Sequence, residues 1–404
     1  MGEVIKNSNF RKLFLSNLFS GVGQGMTMIG ISWYMVELTG TARLLGSTMI
    51  ISAILTLLIG PFAGTMIDRF SRKAILQFEQ LAGFTVLLIV SVWGWLGTYS
   101  EWMMVFIYLS SIFIFYMHES AQSAFVQEIF EPKLYGSINS FLEIENQTAL
   151  VLSGALAGIW LEKFGLHVVL ILNALAYLLA FLNLLGINYV STSKEKLKLD
   201  TRNSWLSMFY ESWRFIKSRR GLMIFGVAAL IPFIAVMLVN LLNPIFVSHS
   251  LKADVKIYSL GEVTYSIGAL FSGICTTIIT RKLSSSSYMV ANYFMMIVAL
   301  ILTVTFSNAG IFLLCSALIG WSNVSTRLIR QNMYMEILPN HLIGRVLSFF
   351  KSIGTLLRLL LLALFTIIID LNGVAVGYFI LAGILSLATI GIFLSFRLLL
   401  KEKD

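Results

Sequence analysis

The sequence predicts an all-α integral membrane protein with twelve transmembrane helices, arranged as two repeats of six. Three observations carry this prediction. The chain is apolar, with a mean hydropathy of +0.85. It contains repeated uncharged runs long enough to cross a bilayer, and two loop motifs recur in its second half. Only 12% of the residues are charged and 57% are hydrophobic, which excludes an ordinary soluble domain.

The apolar runs predict helices rather than a β-barrel. The hydrocarbon core is about 30 Å thick, so a spanning helix needs about 20 mostly apolar residues. Backbone groups in lipid must be satisfied internally, and the runs are continuous rather than alternating with a period of two. The predicted helices are 13–37, 44–67, 74–97, 102–127, 137–161, 166–188, 222–248, 257–279, 286–306, 310–334, 346–370 and 374–398.

The longest polar interval divides these helices six and six. It predicts an N-terminal six-helix bundle at 1–188, a cytoplasmic linker at 189–221 and a C-terminal six-helix bundle at 222–404. Within the linker, apolar side chains recur among charges at near-helical spacing: Trp205, Met208, Phe209, Trp213 and Phe215. This spacing favours an amphipathic helix on the membrane surface over a partner-binding arm.

The lysines and arginines set the orientation. Most of them fall in the predicted cytoplasmic segments, whereas the external loops hold only Arg43, Lys163, Lys252 and Lys256. The positive-inside rule therefore places both termini and the linker in the cytoplasm of a multi-pass cell-membrane protein. The net charge of +9 follows this topology, so we expect no nucleic-acid partner. We expect a monomer whose partners are the lipid bilayer and a small-molecule substrate.

The sequence contains none of the motifs that indicate catalysis. It shows no metal-ligand cluster, no arrangement of nucleophile and base, and no Walker-type phosphate loop. We therefore expect neither an enzyme nor an ATP-driven pump. We also expect no cofactor, with the energy supplied by an ion gradient, namely protons.

The halves of the chain resemble each other. QEIFEPKLYGSINSF (127–141) aligns with MEILPNHLIGRVLSF (335–349), so that Glu128 matches Glu336. GTMIDRFSRK (64–73) is echoed by GICTTIITRK (273–282) at nearly the same offset. Two parallel repeats suit a transporter that rocks one half against the other.

The first of these motifs resembles a family signature. Gly64, Asp68, Arg69, Arg72 and Lys73 stand as in the loop between helices 2 and 3 of the major facilitator superfamily, with Ser71 where that signature usually has glycine. YMVELTGTA after helix 1, the His118 region and LIGRVLSFFKSIG at the start of helix 11 resemble the macrolide-efflux-like branch of drug exporters, which also contains siderophore exporters.

The resemblance implies a secondary active transporter that exports amphipathic small organic molecules by proton antiport with alternating access. A dedicated siderophore or metallophore exporter and, less favoured, an uptake permease remain the alternatives. The superfamily's antiporter signature in helix 5 is only partly present at 153–158, because its proline is missing. The small residues that remain there permit close helix contact.

Ionisable residues inside predicted helices are candidate functional groups, because each costs about 2.5–3.5 kcal/mol at membrane depth. His118 and Glu119 lie roughly 13 Å from the cytoplasmic end of helix 4. The repeat aligns Glu119 with Arg327, and the resemblance places helices 4 and 10 on a central cavity. We predict that Glu119 is the main protonation and coupling site and that Arg327 is its counterpart. The alternative is a permanent structural ion pair.

Further candidates for the cavity come from the same reasoning. They are Glu143, Asn146, Arg330, Gln24 and His118. His118 is either a hydrogen-bonded core histidine or a proton relay. We expect Glu145 to pair at an interface between helices, and Glu79 to support the cytoplasmic loop.

The charged motif is predicted to gate the cytoplasmic side. By resemblance, helix 2 packs against helix 11, whose positive dipole end near Val346 favours an anion. Asp68 would dock there when that side is closed, and Gly64 would permit the close approach of the helices. Arg69 and Arg72 would hold the loop through acids such as Glu128, with Lys73 completing the motif.

Overall fold

The structure is a computed structural model that describes residues 2–189, 213–338 and 342–401. Long helices dominate these residues, and we number them α1 to α12. Their bounds are α1 Ser8–Thr39, α2 Arg43–Arg69, α3 Arg72–Leu96, α4 Glu101–Ile129, α5 Tyr135–Phe164, α6 Leu166–Leu185, α7a Arg220–Ala228 with α7b Ile231–Ile245, α8 Val255–Ile279, α9 Ser285–Phe306, α10 Ala309–Ile337, α11 Ile343–Asn372 and α12 Val374–Lys401. The all-α class is confirmed. The predicted linker helix lies largely outside the described residues, apart from a helical turn at 213–217.

Ten helices in the described ranges are long and apolar enough to cross a membrane. The two others, α1 and α5, have the length but carry more polar residues. These polar side chains are buried, with Asn17 and Gln24 in α1 and Glu145 and Gln147 in α5. They belong to helices that pack against each other, so their polar groups face protein.

Side-chain caps fix where several helices begin. Asn7 accepts hydrogen bonds from the backbone N–H groups of Asn9 and Phe10 at the start of α1, and Ser71 accepts one from Ala74 at the start of α3. Such caps satisfy amide groups that have no partner in the first helical turn. Gly165, with φ of 78°, is the single residue that joins α5 to α6. Glycine adopts this conformation without a steric penalty.

The seventh helix is interrupted, although the sequence predicted one continuous helix at 222–248. Pro232 is the second residue of α7b, and a proline lacks an N–H group and displaces the carbonyl of the residue four positions earlier. The two freed carbonyls find new donors: Tyr293 donates its hydroxyl proton to Ala228 O at 2.9 Å, and Arg330 Nη1 donates to Ala229 O at 2.9 Å. The break is therefore hydrogen-bonded from α9 and α10.

The chain forms two compact units. The first comprises Met1–Lys198 with Ala253–Val263, and the second comprises Leu199–Lys252 with Thr264–Asp404. The beginning of α8 groups with the first unit, and the predicted bounds of the N-terminal and C-terminal bundles stay a prediction. In that unit Gly158 brings α5 so close that an added Cβ would lie 3.1 Å from Lys256 Cα. Lys256 Nζ also lies 2.8 Å from a Glu162 carboxylate oxygen.

Two glycines set the crossing of α8 and α10 in the second unit. A Cβ added at Gly268 would lie 2.0 Å from the carbonyl oxygen of Ala317. One added at Gly320 would lie 2.1 Å from the carbonyl oxygen of Tyr265. The backbones of these helices are therefore in direct contact, which only glycine at both positions allows.

Candidate functional site

A buried pair of ionisable residues joins α3 to α4 in the first unit. Glu79 Oε1 contacts His118 Nδ1, and Gln80 Nε2 lies 3.4 Å from the same nitrogen. The side chains of Glu79 and His118 are only 5% and 14% exposed. Glu79 was expected to support the cytoplasmic loop, but in the structure its carboxylate pairs with the imidazole on the neighbouring helix.

A second buried carboxylate lies close to this pair. Glu145 in α5 is buried, and its Oε2 accepts a hydrogen bond of 3.1 Å from Asn17 Nδ2 in α1. The expected pairing of Glu145 between helices is confirmed. His118 interacts electrostatically with Glu145 and with Glu119 as well as with Glu79. We call Glu79, His118 and Glu145 the carboxylate–imidazole cluster.

The cluster has more hydrogen-bond acceptors than donors. Three buried oxygen atoms in the cluster or on its hydrogen-bond partners have no partner of their own among the described residues: Asn17 Oδ1, Glu79 Oε2 and Gln80 Oε1. Buried polar atoms are normally hydrogen-bonded, so each exception calls for an explanation. An added proton on a carboxylate would supply a donor where acceptors are in excess.

A polar layer formed by α1, α4 and α6 is also buried. Gln24 Nε2 donates to Ser111 O at 2.9 Å, and Tyr177 donates its hydroxyl proton to Gln24 Oε1 at 2.5 Å. Asn173 Nδ2 donates to Thr27 Oγ1 at 2.7 Å. Gln24 was predicted as a cavity residue, and here both ends of its amide hold neighbouring helices together. A role in binding stays a prediction.

The other predicted cavity residues take different positions. Glu119, Glu143, Asn146 and Arg327 are exposed, and Glu143 accepts a hydrogen bond of 3.1 Å from Gln147 Nε2. Arg330 is partly buried, and its guanidinium donates a hydrogen bond to the carbonyl of Ala229 at the interruption of α7. Glu119 belongs to the first unit and Arg327 to the second. The predicted coupling between these two residues stays a prediction.

The charged motif makes specific contacts within the first unit. Arg72 Nη1 lies 3.3 Å from Glu128 Oε2 and donates to Ala124 O at 3.0 Å. Tyr189 donates its hydroxyl proton to the same Glu128 oxygen at 2.8 Å. The expected contact between Arg72 and Glu128 is therefore present, whereas Arg69 is exposed.

Lys73 has a structural role that the sequence did not indicate. Its ammonium group donates to Leu185 O at 3.2 Å and to Ile187 O at 2.7 Å, at the end of α6. A cation at a helix C-terminus satisfies free carbonyls and opposes the negative end of the dipole. The surroundings of Gly64 and of the Asp68 side chain lie outside what the structure describes, so the docking of Asp68 stays a prediction.

We expect Arg72→Met to lower the free energy of unfolding by about 2 kcal/mol, because the buried carboxylate of Glu128 would lose the cation of Arg72. The matched variant Arg69→Met removes an exposed arginine from the same motif and should change stability by less than about 0.5 kcal/mol. Thermal unfolding of both variants, purified in one detergent, measures the difference. Equal melting temperatures would contradict the assigned contact.

Sequence reasoning did not find the pairing of Glu79 with His118. A signal was present, since both residues fall within predicted apolar spans where an unpaired charge is costly. The sequence gives no information on the relative rotation of helices 3 and 4. That rotation decides whether Glu79 faces the loop or the neighbouring helix.

The long apolar helices, the sequence repeat and the buried ionisable groups together define a polytopic membrane protein of the transporter type. Residues 13–360 match the family described as the Major Facilitator Superfamily. The chain belongs to this superfamily, and the recognition of its loop signature is confirmed.

Curated relatives and solved structures extend this result. The chain is 22% identical to macrolide efflux protein A of Streptococcus pyogenes over 385 residues, which cover 93% of each protein. It is 22% identical to macrolide efflux protein A of Enterococcus faecalis over 323 residues, covering 77% of this chain and 98% of that one. The fold resembles a bacterial homologue of the iron transporter ferroportin in its inward-facing state, with a TM-score of 0.73, 15% identity and coverage of 95% and 98% of the two chains.

Proposed function

We propose that this protein is a secondary active transporter that exports amphipathic small organic molecules, macrolides among them. The observation that carries the proposal is the similarity to macrolide efflux protein A along 93% of both chains. A similarity over this length includes both six-helix repeats, so the whole transport unit is comparable. The low identity leaves room for a different range of substrates.

We propose proton antiport as the energy source and alternating access as the mechanism. Two carboxylates and an imidazole inside the first unit supply groups that can bind and release a proton. The parallel repeats suit a rocking movement of the two halves around a central binding site. The substrate would bind there mainly through apolar and aromatic surface, as is typical of amphipathic organic ligands.

Efflux in cells tests the proposed function. The protein is expressed in a bacterium that lacks its own drug exporters, and accumulation is measured for a panel of macrolides, cationic dyes and siderophores. We expect lower accumulation of one or more macrolides or dyes, restored by a protonophore. Unchanged accumulation of every amphipathic compound, with the protein present in the membrane, would contradict the proposal. Export of siderophores alone would favour the metallophore exporter.

A further inference from the structure

We infer that the carboxylate–imidazole cluster is the proton-carrying site of this protein and that Glu145 is the group that takes up and releases the proton. The inference rests on the proposed function, since it assigns residues to proton antiport. It shifts the coupling site from the exposed Glu119 to a buried group on the neighbouring α5.

The charge balance of the cluster supports this assignment. Glu79 and His118 are in direct contact, so an ionised carboxylate and a protonated imidazole form a neutral pair. Glu145 is hydrogen-bonded to the amide of Asn17, which carries no charge. With Glu145 ionised the cluster holds one net negative charge, and with Glu145 protonated it holds none. One proton therefore separates the two states, and no other reactant is needed.

The hydrogen-bond balance points to the same exchange. Asn17, the hydrogen-bond partner of Glu145, has a buried oxygen without a partner among the described residues. An ionised carboxylate can only accept hydrogen bonds, whereas a protonated one also donates. Protonation of Glu145 would thus add a donor beside Asn17, whose Oδ1 is a spare acceptor.

The titratable groups around the site are defined for each packed helix. Glu79 faces it from α3, and His118 and Glu119 belong to α4. Tyr177 of α6 interacts electrostatically with Glu79, and α1 contributes the neutral Asn17. Among the described residues, the carboxylates of Glu79, Glu145 and Glu119 act on His118. Glu119 is exposed, so the inner groups are two carboxylates and one imidazole, and a single proton neutralises them.

The proton is expected to arrive and leave through His118. Its side chain is 14% exposed, whereas Glu79 is 5% exposed, so the imidazole is the member of the pair that is more open to its surroundings. As the imidazolium of the pair, His118 can release one ring proton toward Glu145 and then take up another from its more open side. The charge of the pair is then unchanged, and Glu145 holds the proton that has passed through His118.

Glu145→Gln tests the assignment, because glutamine keeps an oxygen that can accept from Asn17 but cannot ionise. The matched control is Glu101→Gln, which makes the same chemical change at the exposed first residue of α4. Both variants and the wild type are reconstituted in liposomes. Transport of a macrolide or dye driven by a pH gradient is compared with substrate counterflow, which requires no net proton movement.

We expect Glu145→Gln to lower gradient-driven transport about tenfold or more while counterflow stays within about twofold of the wild type. Glu101→Gln should match the wild type in both assays. Gradient-driven transport by Glu145→Gln at the wild-type rate would overturn the inference and leave the proposed function intact.

A second measurement does not depend on the substrate. The protonated-carboxyl band in infrared spectra of the purified protein is followed as the pH is lowered, and we expect Glu145→Gln to remove one titrating band. Asn17→Leu keeps Glu145 but removes its hydrogen-bond donor, so it should move the midpoint of that band. An unchanged band in both variants would overturn the inference. If the wild type transports no compound of the panel but the band behaves as expected, the proposed substrate class fails and the proton site stands.

Discussion

Gly320→Ala is expected to lower the free energy of unfolding by about 3 kcal/mol, and Gly320→Leu to prevent folding. The added Cβ would lie 2.1 Å from the carbonyl oxygen of Tyr265 and 2.9 Å from its carbonyl carbon. These are backbone atoms, so no side-chain rotation relieves the overlap. The helices α8 and α10 would have to move apart. This movement would break the hydroxyl contacts between them, including the 2.7 Å hydrogen bond between Ser272 and Ser325.

The control for this prediction lies on α8 itself. A Cβ added at Gly273 meets no atom within 4 Å. Alanine is favoured over glycine inside a helix by up to about 1 kcal/mol, so Gly273→Ala should be neutral or stabilising. Scanning fluorimetry in detergent, together with size-exclusion chromatography, measures both variants. If Gly320→Ala melts at the same temperature as Gly273→Ala, the close crossing of α8 and α10 is wrong.

His118→Leu is expected to destabilise the protein by about 3–5 kcal/mol, because it leaves the buried Glu79 carboxylate without its partner. The double variant Glu79→Leu with His118→Leu replaces both groups by apolar side chains of similar size. It should recover most of the lost stability, since a buried ion pair exchanged for packed apolar residues costs little. Thermal unfolding of the wild type, the two single variants and the double variant gives the coupling between the residues.

The same double variant separates folding from function. We expect it to fold but to lose transport driven by a pH gradient, because the positioning imidazole is absent. If the double variant is as unstable as His118→Leu, the unpaired charge of Glu79 is not the cause of the lost stability. Full gradient-driven transport by the stable double variant would exclude a role of Glu79 and His118 in coupling.

The helices and the family could be predicted from the sequence, because both depend on local signals. Apolar runs of sufficient length determine a membrane helix, and the charged motif with its partial repeat identifies the superfamily. The interruption of α7 was missed although Pro232 was visible, since prolines are tolerated in membrane helices when neighbours satisfy the freed carbonyls. Here Tyr293 and Arg330 provide the donors, and both come from distant helices.

The candidate site was predicted only in part. Glu143 and Asn146 are three residues apart and share one face of α5, whereas Glu145 points to a different face. This difference led to the prediction that Glu145 pairs with a neighbouring helix. The contact of Glu79 with His118 depends on how α3 and α4 are rotated and spaced relative to each other. A single sequence does not say which residues of two helices face each other. For the same reason the sequence could not show that Lys73 binds the end of α6.

Transport in everted membrane vesicles shows directly whether a proton gradient drives export through Glu145. In such vesicles the cytoplasmic face points outward, so an exporter moves its substrate into the lumen. We predict that a labelled macrolide accumulates in wild-type vesicles when the lumen is acidified, and that a protonophore releases it. The same vesicles with Glu145→Gln should not accumulate it. Absence of accumulation in wild-type vesicles across the macrolide and dye panel, or accumulation that persists after the pH gradient is collapsed, would contradict proton-driven export.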